Sequence, residues 1–160
     1  MKPNPSVTPF FSRPAFWIAT TSGVFFLLDQ LCKYLARTNP DFYWYSISPY
    51  IGWELFNNPG IAFGIGIPNW FVLIITPIIL TLLLFFFSHK KIPSTPIEWW
   101  ALSLLSLGTL SNYIDRFLFS VTIDYIRLFT SIINIADLMI ITGTLLFVIH
   151  HRKKATDISS

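Results

Sequence analysis

The sequence predicts an all-α membrane protein: four transmembrane helices with a small extracytoplasmic β-containing subdomain between helices 1 and 2. Three observations lead there. Of the 160 residues, 53% are hydrophobic and only 12% are charged, far from the balance of an ordinary soluble domain. Four apolar runs approach the roughly 20 residues that a helix needs to cross a hydrocarbon core of about 30 Å. The basic residues are grouped as well: Lys2 and Arg13 precede the first run, His89, Lys90 and Lys91 fill the second connection, and Arg152, Lys153 and Lys154 follow the fourth run. Because basic loops stay inside, these regions are expected to be cytoplasmic, with both termini inside. The chain, 1–160, is then a single integral membrane domain.

Each element follows in order. The lead "MKPNPSVTPFFSRP" is polar and punctuated by proline, and the apolar run after it is too long for the core of a signal peptide. The first helix, Phe16 to Leu35, is therefore expected to remain in the protein. The outer segment from Ala36 to Gly64 is rich in aromatics and β-formers and broken by Pro and Gly. It predicts a short strand-containing subdomain at the membrane interface, with an irregular loop bearing an aromatic belt as the alternative. The second helix is expected over Ile65 to Phe87, and "SHKKIPSTPIE" is a simple inner connection to the third, Trp99 to Phe119. A second outer segment, 120–134, precedes the fourth helix, Ile135 to Ile149.

Composition narrows the chemistry. The net charge of +3 carries no nucleic-acid signal, because no basic run alternates with loop aromatics; membrane lipids are the expected surroundings. A single cysteine, Cys32, excludes an intramolecular disulfide and offers no metal-ligand cluster, so it reads as a small buried apolar residue. No metal and no cofactor are expected.

The acids are few and oddly placed. Asp29, Asp115 and Asp137 lie inside or at the ends of the apolar helices, where an ionisable group costs about 2.5–3.5 kcal/mol on insertion scales. The topology puts Asp29 and Lys33, then Asn112, Asp115 and Arg116, then Asn134 and Asp137, all at the outer ends of their helices. Asp124 falls in the outer connection between helices 3 and 4. Asp29 and Lys33 are four apart and share a face, so a structural ion pair with Lys33 snorkelling outward is one reading. Gly108, Asn112, Asp115 and Arg116 share a stripe on which Gly108 permits close helix approach. Asn134 can cap the fourth helix, leaving Asp137 in a first turn whose dipole favours negative charge. Asp124, within the alternating stretch "SVTIDYIRLF", is either a solvent-facing strand residue or part of the acid cluster.

Two carboxylates held close in a poorly solvated site cannot both ionise. The charged one can take a proton from water attacking an amide carbon, while the protonated one donates to the carbonyl oxygen. His89, His150 and His151 all fall on the inner side, so neither a Ser-His triad nor a His-rich zinc site fits. Two readings compete: a proton-coupled transporter or channel subunit, and a non-catalytic membrane adaptor.

Five motifs then carry a family resemblance. "DQLCK" at Asp29 to Lys33, "NPGIAF" at Asn58 to Phe63, "SNYIDR" around Asn112, Asp115 and Arg116, "VTIDYI" around Asp124, and "INIAD" ending at Asp137 occur in one order along most of the chain. In this the chain resembles signal peptidase II, the bacterial lipoprotein signal peptidase, a four-helix aspartic peptidase of the inner membrane. The resemblance implies that Asp124 and Asp137 are the catalytic pair, and that Asn58, Asn112, Arg116 and Asn134 support or orient substrate. It implies structural support of the site from Asp29, Lys33, Asp115 and Gly60. It further implies a diacylglyceryl-modified prolipoprotein as substrate, cleaved before the lipidated cysteine at the outer face of the membrane. The departures are Ser111 in place of Gly, Tyr125 in place of Phe, Ile133 in place of Phe, and a short outer loop from Tyr125 to Ile133. They bear on local packing and on gating, and leave the acids and amides intact.

Overall fold

A computed structural model describes residues 13–60, 66–89 and 95–159 of the chain. The motif residues 61–63, the expected start of helix 2 at Ile65, and Lys90 and Lys91 lie outside the described residues. The order of elements is α1 (Arg13–Thr38), β1 (Tyr43–Ile47), β2 (Ile51–Asn58), α2 (Asn69–His89), α3 (Pro96–Phe119), β3 (Thr122–Leu128), β4 (Ser131–Ile133) and α4 (Ile135–Ser159).

All four expected helices are present. The helix α1 runs beyond both ends of the apolar run, and α4 continues ten residues past Ile149, because lipid depth limits the apolar run and not the helical backbone. Pro14–Thr38 and Ile135–Arg152 are long and apolar enough to cross a membrane, while Asn69–Phe85 is a shorter apolar helix. The helix α3 carries polar groups at Ser103, Ser106, Ser111, Asn112, Asp115 and Arg116. Its start is closed by a capping box in which Thr95 accepts from the Glu98 N–H and Glu98 accepts from the Thr95 N–H. Its end is set by Ser120 in the left-handed region, whose N–H bonds the Arg116 carbonyl.

The expected β-subdomain exists, but it is not confined to the segment between helices 1 and 2. One antiparallel sheet of order β1-β2-β3-β4 joins both outer segments. A β1-β2 hairpin alone would leave the β2 edge unpaired, and β3 covers it. In the β2-β3 register Phe56 faces Asp124 and Asn58 faces Thr122, so Asn58 and Asp124 are diagonal neighbours on one face. The stretch from Tyr125 to Ile133, read in the sequence as a loop, is largely the β3-β4 hairpin.

The packing is inverted relative to a soluble protein. Small residues such as Ala15, Ala36, Ala101 and Ala136 are buried together with Asp29, Lys33, Ser111, Asp115, Arg116, Asp124 and Asn134, whereas Leu, Ile and Phe side chains of α1, α2 and α4 face outward. The α3-α4 contact is close because Gly108 lies against the first turn of α4: a Cβ there would stand 2.8 Å from the Ala136 carbonyl oxygen.

Candidate active site

Asp124 projects from β3 and is 1% exposed. Its two oxygens accept from two amides: Asn58 Nδ2 at 2.9 Å, from β2, and Asn134 Nδ2 at 2.7 Å, from the residue before α4. Burial pushes the Asp124 carboxyl up to about 7, with the nearby Asp137 charge adding to the rise against the opposing Asn58 and Asn134 hydrogen bonds. Asp137 lies in the first turn of α4. It accepts from Asn112 Nδ2 at 2.9 Å and from the Asn134 N–H at 3.2 Å, while its own N–H donates to Asn134 Oδ1 at 2.8 Å. Asn134 therefore caps α4, as the sequence suggests, and bridges the two acids, its side-chain amide on Asp124 and its backbone N–H on the Asp137 carboxylate.

A second tier lies beneath. Lys33 Nζ stands 2.8 Å from Asp29 and 2.8 Å from Asp115, and donates to Asn112 Oδ1 at 2.9 Å. Its side chain is 2% exposed, so Lys33 does not snorkel. Two carboxylates and an amide converge on the ammonium and replace the water that snorkelling would seek. Asp115 also accepts from the Ile123 N–H, which ties the base of β3 to α3. Arg116 donates through Nη2 to the Gly60 carbonyl, and the Gly60 N–H donates to Asn58 Oδ1 at 3.0 Å, so the turn after β2 is clamped between them. Arg116 Nη1 is buried with no hydrogen-bond partner among the described residues.

The structure thus brings together all ten site residues read in the sequence, from Asp29 to Asp137, with Gly60 contributing its backbone. The solvent-facing alternative for Asp124 is excluded by its burial. Cys32 is half-buried rather than fully buried, packed beside the Tyr125 cluster. His150 pairs with Glu98 at the opposite end of α3, 3.4 Å away, far along the helix from Asn112 and Arg116. Among the described residues no three His, Cys, Asp or Glu side chains form a metal-holding group.

Sequence reasoning passed over three participants. Gln30 donates to Ser111 Oγ at 2.7 Å, Ser111 donates to Asp29 at 2.5 Å, and Tyr125 donates to Asp29 at 2.8 Å. Ser111 was findable: it lies three residues after Gly108 and four before Asp115, on the stripe already singled out.

A family profile described as signal peptidase (SPase) II matches residues 21–153. A lipoprotein signal peptidase of Thermodesulfovibrio yellowstonii is 31% identical over 138 residues, covering 80% of this chain and 89% of the relative. One from Coxiella burnetii is 30% identical over 151 residues, covering 86% and 88%. Among solved structures, a bacterial membrane enzyme determined by the in meso method at 2.3 Å superposes with a TM-score of 0.79 at 29% identity, covering 92% of this chain and 93% of the other. A second, at 1.9 Å, gives 0.69 at 30% identity, covering 88% and 94%.

Proposed function

The chain belongs to the signal peptidase II family, and from that premise we propose that it is an aspartic endopeptidase of the bacterial inner membrane with Asp124 and Asp137 as its catalytic pair. The substrate is a prolipoprotein whose signal peptide is cleaved before a diacylglyceryl-modified cysteine. The family match displaces the transporter and adaptor readings. The observation that supports the aspartic mechanism is the Asn134 bridge: its side chain holds Asp124 while its backbone N–H holds the Asp137 carboxylate.

The pair carries one proton, because two charges in so dry a site repel. We place that proton on Asp124, since burial favours a neutral carboxyl there and Asp137 has the helix N-terminus beside it. Asp137, in the first turn of α4, carries the charge that the helix dipole favours. Asp137 takes a proton from water as the water oxygen attacks the scissile carbonyl carbon, and Asp124 gives its proton to the carbonyl oxygen. The tetrahedral diol collapses when the proton held by Asp137 passes to the leaving cysteine amine, Asp124 recovers its own, and the C–N bond breaks. Asn58, Asn112 and Asn134 keep both carboxylates aimed, and Arg116 orients the turn after β2 beside them through the Gly60 carbonyl.

In the membrane this reading has four crossing helices, both termini cytoplasmic, and outer segments 36–64 and 120–134, whose strands β1 to β4 form the sheet that faces the substrate. The test is cleavage of diacylglyceryl-modified and unmodified precursors by wild type, Asp124→Asn and Asp137→Asn. Wild type is expected to cleave only the lipidated precursor, and both variants to lose at least about a thousandfold in kcat while staying inserted. Full turnover by either variant refutes the assignment of the pair.

A further inference from the structure

Asp29 lies one tier below the two acids and is completely buried, yet neither of its oxygens faces the reaction. Four donors converge on it. Tyr125 Oη (2.8 Å) and the Ala136 N–H (3.2 Å) reach Oδ1; Ser111 Oγ (2.5 Å) and Lys33 Nζ (2.8 Å) reach Oδ2. The Tyr125 hydroxyl in turn accepts from the Ile135 N–H at 3.2 Å. The first three N–H groups of α4, normally left to caps or water, are therefore each taken by a side chain: Ile135 by Tyr125, Ala136 by Asp29, Asp137 by Asn134.

The neighbours of these two hydroxyl residues give the arrangement its meaning. Tyr125 follows Asp124 on β3. Ser111 precedes Asn112, the amide that donates to Asp137. Asp29 thus braces the strand that presents one acid and the helix that steadies the other. Between β3 and the start of α4 Asn134 makes one point of attachment, its Nδ2 donating to Asp124 and to the Ile123 carbonyl; the Tyr125–Ile135 bond is a second point, one residue further along both elements, and two points fix an orientation. Both residues stand where the motif pattern read in the sequence has side chains without a hydroxyl.

We propose that Ser111 and Tyr125 are positioning residues for the peptidase reaction, their hydroxyls acting through Asp29 to set the spacing between Asp124 and Asp137. The proposal rests on the reading of those two acids as the catalytic pair. Replacing Tyr125 by Phe keeps the ring packed against Trp53 but leaves the Ile135 N–H without its acceptor and Asp29 short of one donor. Geometric errors of this kind reduce turnover by up to about a hundredfold without touching substrate.

The test uses the full-length enzyme in proteoliposomes with a diacylglyceryl-modified precursor, comparing wild type, Tyr125→Phe, Ser111→Ala and Asp137→Asn. Tyr125→Phe is expected to lower kcat by about tenfold to a hundredfold with KM within about twofold. Its alkaline limb should move to lower pH, because acids further apart repel less, with Lys33 and Arg116 as the cations facing them. Ser111→Ala should move both readouts in the same direction by less. Wild-type kcat and limb in Tyr125→Phe, or a loss confined to Tm or KM, overturns the proposal. If Tyr125→Phe does not insert and purify folded, the same two readouts in Ser111→Ala decide. Turnover by Asp137→Asn would instead strike the catalytic pair itself, an outcome separable from failure of the brace alone.

Discussion

Asp124 is the residue at which function and stability pull apart. Its carboxyl ordinarily releases its proton near 3.8, and burial in the fold pushes that up to about 7. The folded state therefore holds a proton that the unfolded chain has released, so the contribution is fully present below about 3.8 and is lost as pH rises through about 7. At full ionisation a difference of that size corresponds to about 4 kcal/mol. Thermal unfolding in detergent is expected to show Tm falling across that window, with a flatter slope in Asp124→Asn; parallel slopes would show that the burial of Asp124 carries no such cost. The acids and amides of the site were legible in the sequence because lipid and a dry interior make them expensive, so each demanded an explanation. Tyr125 was not, and Ser111 only through its place on the Gly108–Asp115 stripe, because a hydroxyl in a helix or strand costs little and asks for no explanation of its own. Lys33 misled for a related reason: snorkelling is the default for a lysine near a helix end, and only the convergence of Asp29, Asp115 and Asn112 on its ammonium overrides it.

Among the elements, the α3-α4 crossing sets where Asp137 stands, and two glycines on it allow a controlled comparison. A Cβ at Gly108 would meet the Ala136 carbonyl oxygen at 2.8 Å, in backbone that cannot turn aside, one residue before Asp137. A Cβ at Gly143 would meet Leu105 Cγ at 2.9 Å, about two turns further along α4. Gly108→Ala is expected to cost about 1–3 kcal/mol and to lower kcat in the protein that remains folded. Gly143→Ala should lose comparable stability with kcat kept; equal losses of kcat in both would deny the local reach of the first contact. On the sheet, Arg127 grips Glu54 with Nε at 2.6 Å and Nη2 at 2.9 Å, joining β2 to β3, and Tyr45 from β1 adds a third bond at 2.6 Å. Glu54→Gln should cost about 1 kcal/mol, a loss that shrinks in high salt when Tm is compared at two ionic strengths. The helices were readable because each is announced by its own apolar run. The alternation in "TIDYIRL" announced a strand too, but its pairing with β2, some 70 residues earlier, is a non-local fact that no local pattern carries, which is why the sheet was placed between helices 1 and 2 alone.

At the scale of the whole molecule, the exposed apolar surface and the buried polar seam describe one solvent arrangement. Phe16, Leu27 and Leu31 of α1, Ile74 and Leu82 of α2, and Leu138, Ile141 and Leu145 of α4 are all exposed, more large apolar surface than a water-soluble fold leaves open. By length and composition α1 and α4 can cross a membrane, and in the proposed arrangement lipid on that surface brings α2 and α3 along, α3 packing against α1, α2 and α4. The sheet exposes Trp44, Tyr43, Tyr50 and Phe129, and in the same proposed arrangement it lies at the interface that aromatic rings favour, on the side away from the basic tail beginning at Arg152. That arrangement predicts a fixed sidedness. A fluorescent protein fused after residue 160 should fold and fluoresce in the cytoplasm, and an alkaline phosphatase reporter joined within the β1-β2 turn should be active outside. An impermeant thiol reagent should label a cysteine placed at Thr130 in intact spheroplasts and spare one placed at Arg152, in a background where Cys32 is replaced by Ser. Labelling of Arg152→Cys before lysis would invert the orientation, and with it the claim that the two acids meet their substrate at the outer face.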